Sequence, residues 1–339
     1  MNNNVCVGTG LVALDIILND NKKTEPLITA GGSCGNVLTI LSFLGWNSYP
    51  IARLDESEAT QLILEDLAKN NVNTSLISKK EDGSAPIIIH RILTDRNGNP
   101  KHRFEFRSPK TGKWFPNFKP VLNKSVNDLE PRLPSADFYY FDRLNRSSIE
   151  LAKINKKNGA TIFFEPSSIG NEKMFAEALA ISDIIKVSNE RISDYKDKFQ
   201  KTNITLEIIT LGEEGLDYRF KNGKWIHSEP INIDGLIDSA GAGDWCSAGI
   251  IEKLSGMEKS IDKLNYDEIS CCLNYGQKLG AINCLYVGAR GLMDYIDEKE
   301  LDKLTDILGK ESELFIDYTK SVIAKEKSNT NQEFLKELV

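Results

Sequence analysis

Apolar residues from position 138 onward form short runs that alternate with segments of helical spacing. The runs span residues 138–141, 161–164, 184–188 and 206–211. Near-continuous apolar strands that alternate with helices are typical of a parallel sheet with helices on both faces. Ligands of such sheets bind at the carboxyl ends of the strands. Polar residues or glycine fall at those ends: Asp142, Glu165, Asn189 and Gly212.

The first third of the chain has a different pattern, in which apolar and polar positions alternate. Residues 85–93 and 101–107 alternate on either side of Asn97-Gly98, which is a strong signal for a β-hairpin. The hairpin carries basic and imidazole side chains, among them Arg107, and could cover a site for an anionic or polar ligand. A basic edge that discourages strand pairing explains the same side chains.

Composition and charge exclude several classes of protein. The chain has 339 residues, with 42 Lys and Arg against 49 Asp and Glu, and a formal net charge of −7. This balance argues against nucleic-acid binding through bulk charge. Neither an apolar run of 18 residues nor a signal peptide is found, which predicts a cytoplasmic protein. The six cysteines lack metal-ligand spacing and are interpreted as reduced residues of the protein core.

A short strand followed by Gly8-x-Gly10-x-x-Ala13 imitates a dinucleotide-binding fingerprint. This alternative, a nucleotide-dependent oxidoreductase, requires a helix that begins near Gly10. Residues 14–18 instead have the pattern of a second extended segment. Asp15 then lies between apolar neighbours near the end of a strand, and a plain turn or edge position explains it equally well.

The glycine-rich stretch at residues 237–250 carries the strongest chemical signal. Glycine lets the backbone approach a ligand, so the N–H groups of Gly241, Ala242 and Gly243 can converge on an anion. The helix that follows adds its positive N-terminal end. Asp244 falls on the first helical turn, within reach of a group that attacks a bound phosphoryl group. A glycine-rich turn with an aspartate cap is the plainer interpretation.

A second glycine-containing turn, at residues 30–36, precedes a segment of helical spacing that stops at Gly45. Gly32 allows a ligand to lie against the backbone, and Asn36 supplies both a donor and an acceptor. The turn suits the hydroxyls of a polyol, although a loop cap explains it as well. Further along, residues 58–70 have the pattern of an amphipathic helix and residues 72–77 that of an extended segment.

The two glycine-containing motifs, roughly 200 residues apart, together resemble the ribokinase or PfkB-type sugar kinases. The resemblance spans roughly residues 5–295. It implies a ribokinase-like three-layer α/β fold, with a mostly parallel sheet, helices on both faces and a small β lid. The lid strands would lie near residues 14–29 and 86–107 of a domain covering residues 1–310. Residues 311–339 would form a C-terminal helical extension or tail.

The resemblance also implies roles for single residues. Asp244 is similar to the family's catalytic base, and the backbone of Gly241, Ala242 and Gly243 to its anion hole. Three residues resemble the contacts to the sugar hydroxyls: Asp15, Gly32 and Asn36. The hairpin residue Arg107 is a further candidate for the substrate. Four residues lie where the family holds ATP: Asn189, Thr210, Gly212 and Gly215.

Metal sites are also implied by the resemblance. Asp238 resembles a residue of the family's monovalent-cation site, which would hold K⁺. Mg²⁺ and its waters are often organised by an Asn-x-x-Glu motif, but here Glu190 directly follows Asn189. Either Glu190 takes that role or Glu165 helps. A further departure is Trp245-Cys246 after the base, where the family has a small and an aromatic residue, which would reshape the pocket wall.

The expected activity is phosphoryl transfer from MgATP to a hydroxymethyl group of a sugar or sugar acid. The expected partners are therefore the sugar and ATP, with neither nucleic acid nor membrane, and a homodimer through the lid. Two alternatives stay open. One is a nucleoside kinase of the same fold. The other is a catalytically idle relative that binds a sugar or nucleotide and has a regulatory role.

Overall fold

The computed structural model describes residues 4–19, 26–94 and 100–308. The expected C-terminal extension at residues 311–339 lies outside the described residues. The strands, in chain order, are β1 (Val5–Thr9), β2 (Ala13–Asn19), β3 (Leu27–Gly31), β4 (Asn47–Leu54), β5 (Ile77–Lys79), β6 (Ile87–Thr94), β7 (Pro100–Glu105), β8 (Phe138–Phe141), β9 (Thr161–Phe164), β10 (Ile184–Ser188), β11 (Leu206–Thr210), β12 (Leu216–Phe220) and β13 (Ile226–Ser228).

The α-helices, in chain order, are α1 (Ser33–Phe43), α2 (Glu58–Lys69), α3 (Val126–Leu129), α4 (Arg146–Lys157), α5 (Glu172–Ile181), α6 (Tyr195–Lys198), α7 (Ala242–Ser255), α8 (Tyr266–Asn283) and α9 (Glu298–Ile307). Within the described residues, none of these helices is long and apolar enough to cross a lipid bilayer.

Nine strands form the main sheet, in the order β13-β12-β11-β10-β9-β8-β1-β4-β5. The strands from β11 to β5 are parallel, whereas at one edge β12 pairs antiparallel with β11 and β13 pairs antiparallel with β12. Because the parallel strands share one direction, their carboxyl ends lie along one edge of the sheet. The predicted mostly parallel α/β sheet is confirmed.

Apolar side chains are buried on both faces of the main sheet. Successive residues of a strand point to opposite faces. Accordingly, Tyr140 and Phe163 join a cluster that contains residues of α1, α7 and α8. Tyr139 and Phe164 join a second cluster that contains residues of α4 and α5. The helices therefore form a layer on each side of the sheet, as the three-layer prediction requires.

Four strands form a separate small sheet, in the order β3-β2-β6-β7. Strands β2 and β6 are parallel, and the other pairs are antiparallel. Strands β6 and β7 form the predicted hairpin, whose turn at residues 95–99 lies outside the described residues. Residues 13–19 are strand β2, so no helix begins at Gly10. The dinucleotide-binding alternative is therefore excluded.

One predicted strand is shorter than expected. Residues 72–77 were predicted to be extended, but Thr74–Leu76 form a turn of 3-10 helix, and β5 starts at Ile77. The Asn73 side chain accepts a hydrogen bond from the Ser75 amide at 3.0 Å. Such a local side-chain cap gives the backbone an alternative to the sheet.

Helices α7 and α8 lie unusually close together. A β-carbon added to Gly276 would be 2.6 Å from the Cys246 carbonyl oxygen, and one added to Gly280 would be 2.7 Å from the Ala242 carbonyl oxygen. Only glycine permits such an approach. Gly276 and Gly280, here called the glycine seam, thus allow α7 and α8 to pack closely. This packing holds α7 in place, with its N-terminus facing the carboxyl edge of the main sheet.

Candidate active site

The N-terminus of α7 is shaped by Gly241. This residue caps the helix in the left-handed conformation, with φ of 75°, and an added β-carbon would lie 2.2 Å from the Ala289 carbonyl oxygen. Ala242 begins the helix, and its N–H donates a hydrogen bond to Ser239 O at 3.3 Å. The first-turn amides of a helix carry partial positive charge and favour an anion. The start of α7 therefore presents partial positive charge where the sequence predicts an anion site, although the Ala242 amide is itself hydrogen-bonded.

Asp244 lies on the first turn of α7 and is partly buried. Its Oδ2 accepts a hydrogen bond from Asn36 Nδ2 at 2.8 Å. Burial and the nearby Glu165 carboxylate raise the pKa of Asp244 to about 7, against the opposing effects of Asn36 and Lys186. A carboxyl group with a pKa near neutrality is suited to accept a proton at physiological pH.

A buried cluster next to Asp244 went unnoticed in the sequence. Lys186 on β10 forms an ion pair with Glu165, and Glu165 Oε2 accepts hydrogen bonds from the hydroxyls of Tyr140 and Ser247. A β-carbon added to Gly243 would lie 3.7 Å from Lys186 Nζ. The ammonium group therefore lies beside the start of α7. A lysine inside an otherwise apolar strand was the available signal, because lysine is rarely buried without a partner.

Asp15, Gly32 and Asn36 lie around the start of α1. Asp15 Oδ1 and Asn36 Oδ1 are buried and have no hydrogen-bond partner among the described residues. Burial raises the pKa of Asp15 to about 6, although Arg290 and the Gly32 amide oppose this effect. Gly32 precedes α1 with φ of 78°. The structure thus brings together three residues that the sequence predicted for one site.

Asp142 follows β8 on the same side of the main sheet. Its Oδ1 accepts a hydrogen bond from the Leu11 amide at 2.9 Å, and its Oδ2 pairs with Arg143. Burial raises the pKa of Asp142. A β-carbon added to Gly10 would lie 1.5 Å from Asp142 Oδ1. Gly10, part of the sequence that imitates a dinucleotide-binding motif, therefore leaves room for the Asp142 carboxylate.

The residues predicted for ATP lie at the ends of β10 and β11. The Asn189 amide donates to Thr210 O at 3.0 Å, and the Leu211 amide donates to Gly215 O at 2.8 Å. Gly212 is exposed with φ of 65°, which leaves open space above the turn. Glu190 is exposed beside Asn189, whereas the carboxylate of Glu165 is occupied by Lys186 and two hydroxyls. Of these two acidic residues, Glu190 is the better fit for Mg²⁺ bound through water.

The small sheet approaches the loop before α7 through two histidines. His90 and His102 lie near Asp238, which is fully buried. Burial lowers the pKa of His90, although Asp238 opposes this. Arg107 is exposed, and its guanidinium stacks 3.9 Å from the ring centre of Trp114. The structure thus does not bring Arg107 into contact with Asp15, Asn36 or Asp244.

Trp245 and Cys246, which depart from the family pattern, are both buried in the core. Trp245 Nε1 donates to Ala289 O at 3.0 Å, and the ring meets Phe43 edge to face. The tryptophan thus joins α7 to the Ala289 backbone, the same backbone that lies against Gly241.

Comparison with known proteins identifies the relatives of this chain. The family model described as pfkB family carbohydrate kinase matches residues 1–294. A probable chloroplastic fructokinase-6 of Arabidopsis thaliana is 26% identical over 300 residues, covering 80% of this chain and 72% of that protein. An ATP-dependent ribose-1-phosphate kinase of Halopiger xanaduensis is 21% identical over 276 residues, covering 77% of this chain and 82% of that protein.

The fold is also similar to solved structures. The crystal structure of aminoimidazole riboside kinase from Salmonella enterica, complexed with aminoimidazole riboside and an ATP analogue, superposes with a TM-score of 0.66. The two chains are 18% identical, and the match covers 89% of this chain and 100% of the other.

Proposed function

The chain belongs to the pfkB family of carbohydrate kinases, which makes it a phosphotransferase that acts on a sugar or nucleoside, and we propose that it transfers the γ-phosphoryl group of ATP to a hydroxymethyl group of a sugar. Within this proposal, Asp244 is the base, the start of α7 is the anion hole, and Asp15, Gly32 and Asn36 hold the acceptor.

One observation carries the choice of a polyol acceptor. Asp15 Oδ1 and Asn36 Oδ1 are buried oxygen atoms without a hydrogen-bond partner among the described residues, and Asn36 is also bonded to Asp244. Buried acceptors without partners are costly. Hydroxyl groups of a bound sugar would satisfy both oxygens and bring a neighbouring hydroxyl to Asp244.

Asp244 is proposed to take the proton of the attacking hydroxyl. Its pKa of about 7 means that a large share of the molecules carry the ionised form at neutral pH, while the conjugate acid is still easily formed. General base catalysis of this kind contributes typically about 10²–10⁴-fold.

The start of α7 is proposed to meet the negative charge on the transferred phosphoryl group. Gly243 is exposed there, and the first turn presents the positive end of the helix. Lys186 is placed beside Gly243, and although burial disfavours its charge, Glu165 and other acidic neighbours raise the pKa of the lysine. A cation and a helix N-terminus on one side of the phosphoryl group would stabilise its transfer.

ATP is proposed to bind along the ends of β10 and β11, next to Asn189, Thr210, Gly212 and Gly215. Mg²⁺ would be held through water by Glu190, whose carboxylate is exposed at this edge. When bound, the ion neutralises charge on the β- and γ-phosphates.

The charges around the acceptor site support a neutral sugar over a sugar acid. Three carboxyl groups, those of Asp15, Asp142 and Asp244, have raised pKa values. The two nearby guanidinium groups are each paired with a carboxylate of the protein, Arg143 with Asp142 and Arg290 with Asp66. Arg107, predicted for the substrate, is stacked on Trp114 instead and is left out of the proposed contacts.

A homodimer through the small sheet remains part of the proposal. Phe104, Phe106 and Trp114 are exposed on and next to β7, which is the edge strand of the small sheet. Light scattering of the purified protein tests this point. A mass near 76 kDa, twice the 37.9 kDa of one chain, is expected, and a monomer over the whole concentration range would refute it.

The experiment for the activity is a panel of neutral sugars, sugar acids, sugar phosphates and nucleosides, with coupled detection of ADP. We expect turnover with a neutral sugar, and a loss of about 10²–10⁴-fold in kcat for Asp244→Asn with KM nearly unchanged. Asp128→Asn, a change at an exposed carboxylate on α3, is the matched control.

Three outcomes count against the proposal. A folded Asp244→Asn variant with more than about half of the wild-type turnover would remove Asp244 from the mechanism. Preference for a nucleoside would favour the alternative that the chain is a nucleoside kinase of this fold. If no compound led to ADP formation, the result would favour the alternative that the chain is a catalytically idle relative with a regulatory role.

A further inference from the structure

Three side chains that can bind metal converge where the small sheet meets the loop before α7. His90 on β6 and His102 on β7 lie on the same face of the hairpin, because His90 pairs with Phe104, two residues from His102. Asp238 comes from the loop, three residues before Gly241. In the part of the chain that the structure describes, they form the one group of three such residues that meets.

The distances between the three ligand atoms are close to those between the ligands of one bound metal ion. His90 Nε2 lies 2.8 Å from His102 Nδ1, His102 Nδ1 lies 3.3 Å from Asp238 Oδ1, and His90 Nε2 lies 3.8 Å from Asp238 Oδ1. A tetrahedral ion with bonds of about 2.0–2.1 Å holds its ligands about 3.3 Å apart. One ion can therefore contact all three atoms after movements of a few tenths of an ångström.

The donor set argues against the K⁺ expected at Asp238. Two imidazole nitrogens and one carboxylate oxygen suit Zn²⁺, Co²⁺ or Ni²⁺, whereas the hard cation Mg²⁺ prefers oxygen ligands. An alkali cation is also better matched by oxygen than by imidazole nitrogen. The residues around Asp238 Oδ1 therefore fit K⁺ poorly.

We propose that His90, His102 and Asp238 bind one divalent transition-metal ion of the Zn²⁺ type, with a fourth position left for water. The carboxylate among the three ligands is already held by hydrogen bonds, as ligating carboxylates are in other protein metal sites. Asp238 Oδ1 and Oδ2 accept hydrogen bonds from the amides of Ala240 and Gly288, each at 2.8 Å. The His90 ring stacks on Phe104 with 4.9 Å between ring centres.

A bound ion would connect two parts of the molecule that are otherwise distant in the chain. Two ligands belong to the small sheet, and the third belongs to the loop that leads into the proposed anion hole. The ion would therefore fasten the sheet to this loop. The competing explanation is a shared proton: the Ser239 amide faces His102 Nε2 at 3.4 Å, which leaves the ring proton on Nδ1, between His90 and Asp238.

The test uses the full chain after treatment with a chelator, without nucleotide or sugar, so that its result is independent of the proposed kinase reaction. Zn²⁺ binding is measured by calorimetry, Co²⁺ binding by visible absorption, and both by the shift in Tm. We expect one ion per chain, a higher Tm, and a Co²⁺ spectrum of nitrogen and oxygen ligands without thiolate bands. Because even loss of a neighbouring group weakens metal binding about 10–100-fold, His90→Ala and His102→Ala should each weaken it at least about 10-fold.

Matched variants separate this site from adventitious binding. His227→Ala removes the third histidine, which is half exposed and bonded to Asp217 at 2.8 Å, and Cys271→Ser removes the exposed thiol. Both should bind as the wild type does. His102→Gln serves if the alanine variants do not fold. The proposal is overturned if the wild-type chain binds no Zn²⁺, if a variant with both His90→Ala and His102→Ala binds it unchanged, or if K⁺ alone reproduces the rise in Tm.

Discussion

Asn36 Nδ2 lies 2.8 Å from Asp244 Oδ2, although the two residues are 208 positions apart in the chain. Each lies on the first turn of its helix, Asn36 on α1 and Asp244 on α7. The hydrogen bond therefore couples the residue proposed to hold the acceptor with the residue proposed to deprotonate it. A change at Asn36 is therefore expected to alter the pKa of Asp244.

The pH dependence of catalysis should report on Asp244. Its pKa is raised from 3.8 to about 7, and only the ionised carboxylate can accept a proton. We therefore expect kcat/KM for the acceptor sugar to rise with pH and to level off above about pH 7. A profile that is flat from pH 5 to pH 8 would contradict this role.

Two neighbours of Asp244 should shift this profile in opposite directions. Asn36→Ala removes a hydrogen bond to the ionised form, worth about 1.5–3 kcal/mol, so the midpoint should rise by about 1–2 pH units. Glu165→Gln removes a nearby negative charge that raises the pKa, so the midpoint should fall. Initial rates over the pH range measure both, and Asp128→Asn should leave the midpoint unchanged. Shifts in the same direction would refute the assignment.

Asp244→Asn should make the folded protein more stable at pH 8. A carboxyl group whose folded pKa lies above its unfolded value stabilises the fold below pH 4, and this contribution is lost as the pH rises through about 7. The neutral amide avoids this cost, so the free energy of unfolding in urea should rise by about 1–3 kcal/mol at pH 8. At pH 4 the difference should disappear. A variant less stable than the wild type at pH 8 would argue against the raised pKa.

Gly31→Ala should impair acceptor binding without unfolding the protein. The added methyl group would lie 1.9 Å from Asp15 Oδ2, so the flexible carboxylate must turn away from its position. Loss of hydrogen bonds to this charged group should raise KM for the sugar about 10- to 100-fold. Steady-state kinetics measure the change.

Gly45→Ala is the control for Gly31→Ala. Gly45 follows α1 with φ of 87°, and an added β-carbon meets no atom within 4 Å. Alanine there costs about 1–2 kcal/mol of stability because of the left-handed backbone, but KM should stay at the wild-type value. Equal KM values for the two variants would show that Asp15 does not contribute to acceptor binding.

Gly243→Ala should distinguish the anion hole from a structural turn. The methyl group would meet only Lys186 Nζ, at 3.7 Å, so the fold should keep its stability. It would, however, occupy the space in front of the helix, and kcat/KM for ATP should fall at least about 10-fold, by analogy with loss of an oxyanion donor. Gly241→Ala, in contrast, should lose stability because its methyl group clashes with Ala289. Full activity of Gly243→Ala would place the phosphoryl group elsewhere.

Local patterns predicted most of the fold. The alternation of apolar strands and amphipathic helices depends on periodicities that act over a few residues, so β8 to β11 and α2 were expected within one or two residues of their bounds. Residues 72–77 were the exception, because a single side-chain hydrogen bond from Asn73 diverted the backbone.

The candidate site was predictable only in part. Glycine and carboxylate spacing indicated the start of α7 and the start of α1, but no spacing connects Asn36 to Asp244. Lys186 lies in a strand, where periodicity predicts an apolar side chain. Its partner Glu165 follows the neighbouring strand, so the pairing depends on the fold. The pairing of His90 and His102 depends on the register of one hairpin and the path of a distant loop. Arg107 was proposed for the substrate from charge alone, and that remains a prediction.

The glycine seam between α7 and α8 limits where new specificity can arise in this chain. Any side chain at Gly276 or Gly280 would push the helices apart and displace Asp244 with them. The small sheet carries no such constraint at exposed positions such as Phe104 on β7 and Phe106 just after it. Laboratory selection for a different acceptor is therefore expected to collect its substitutions on β2, β6 and β7, and to leave the helix pair untouched.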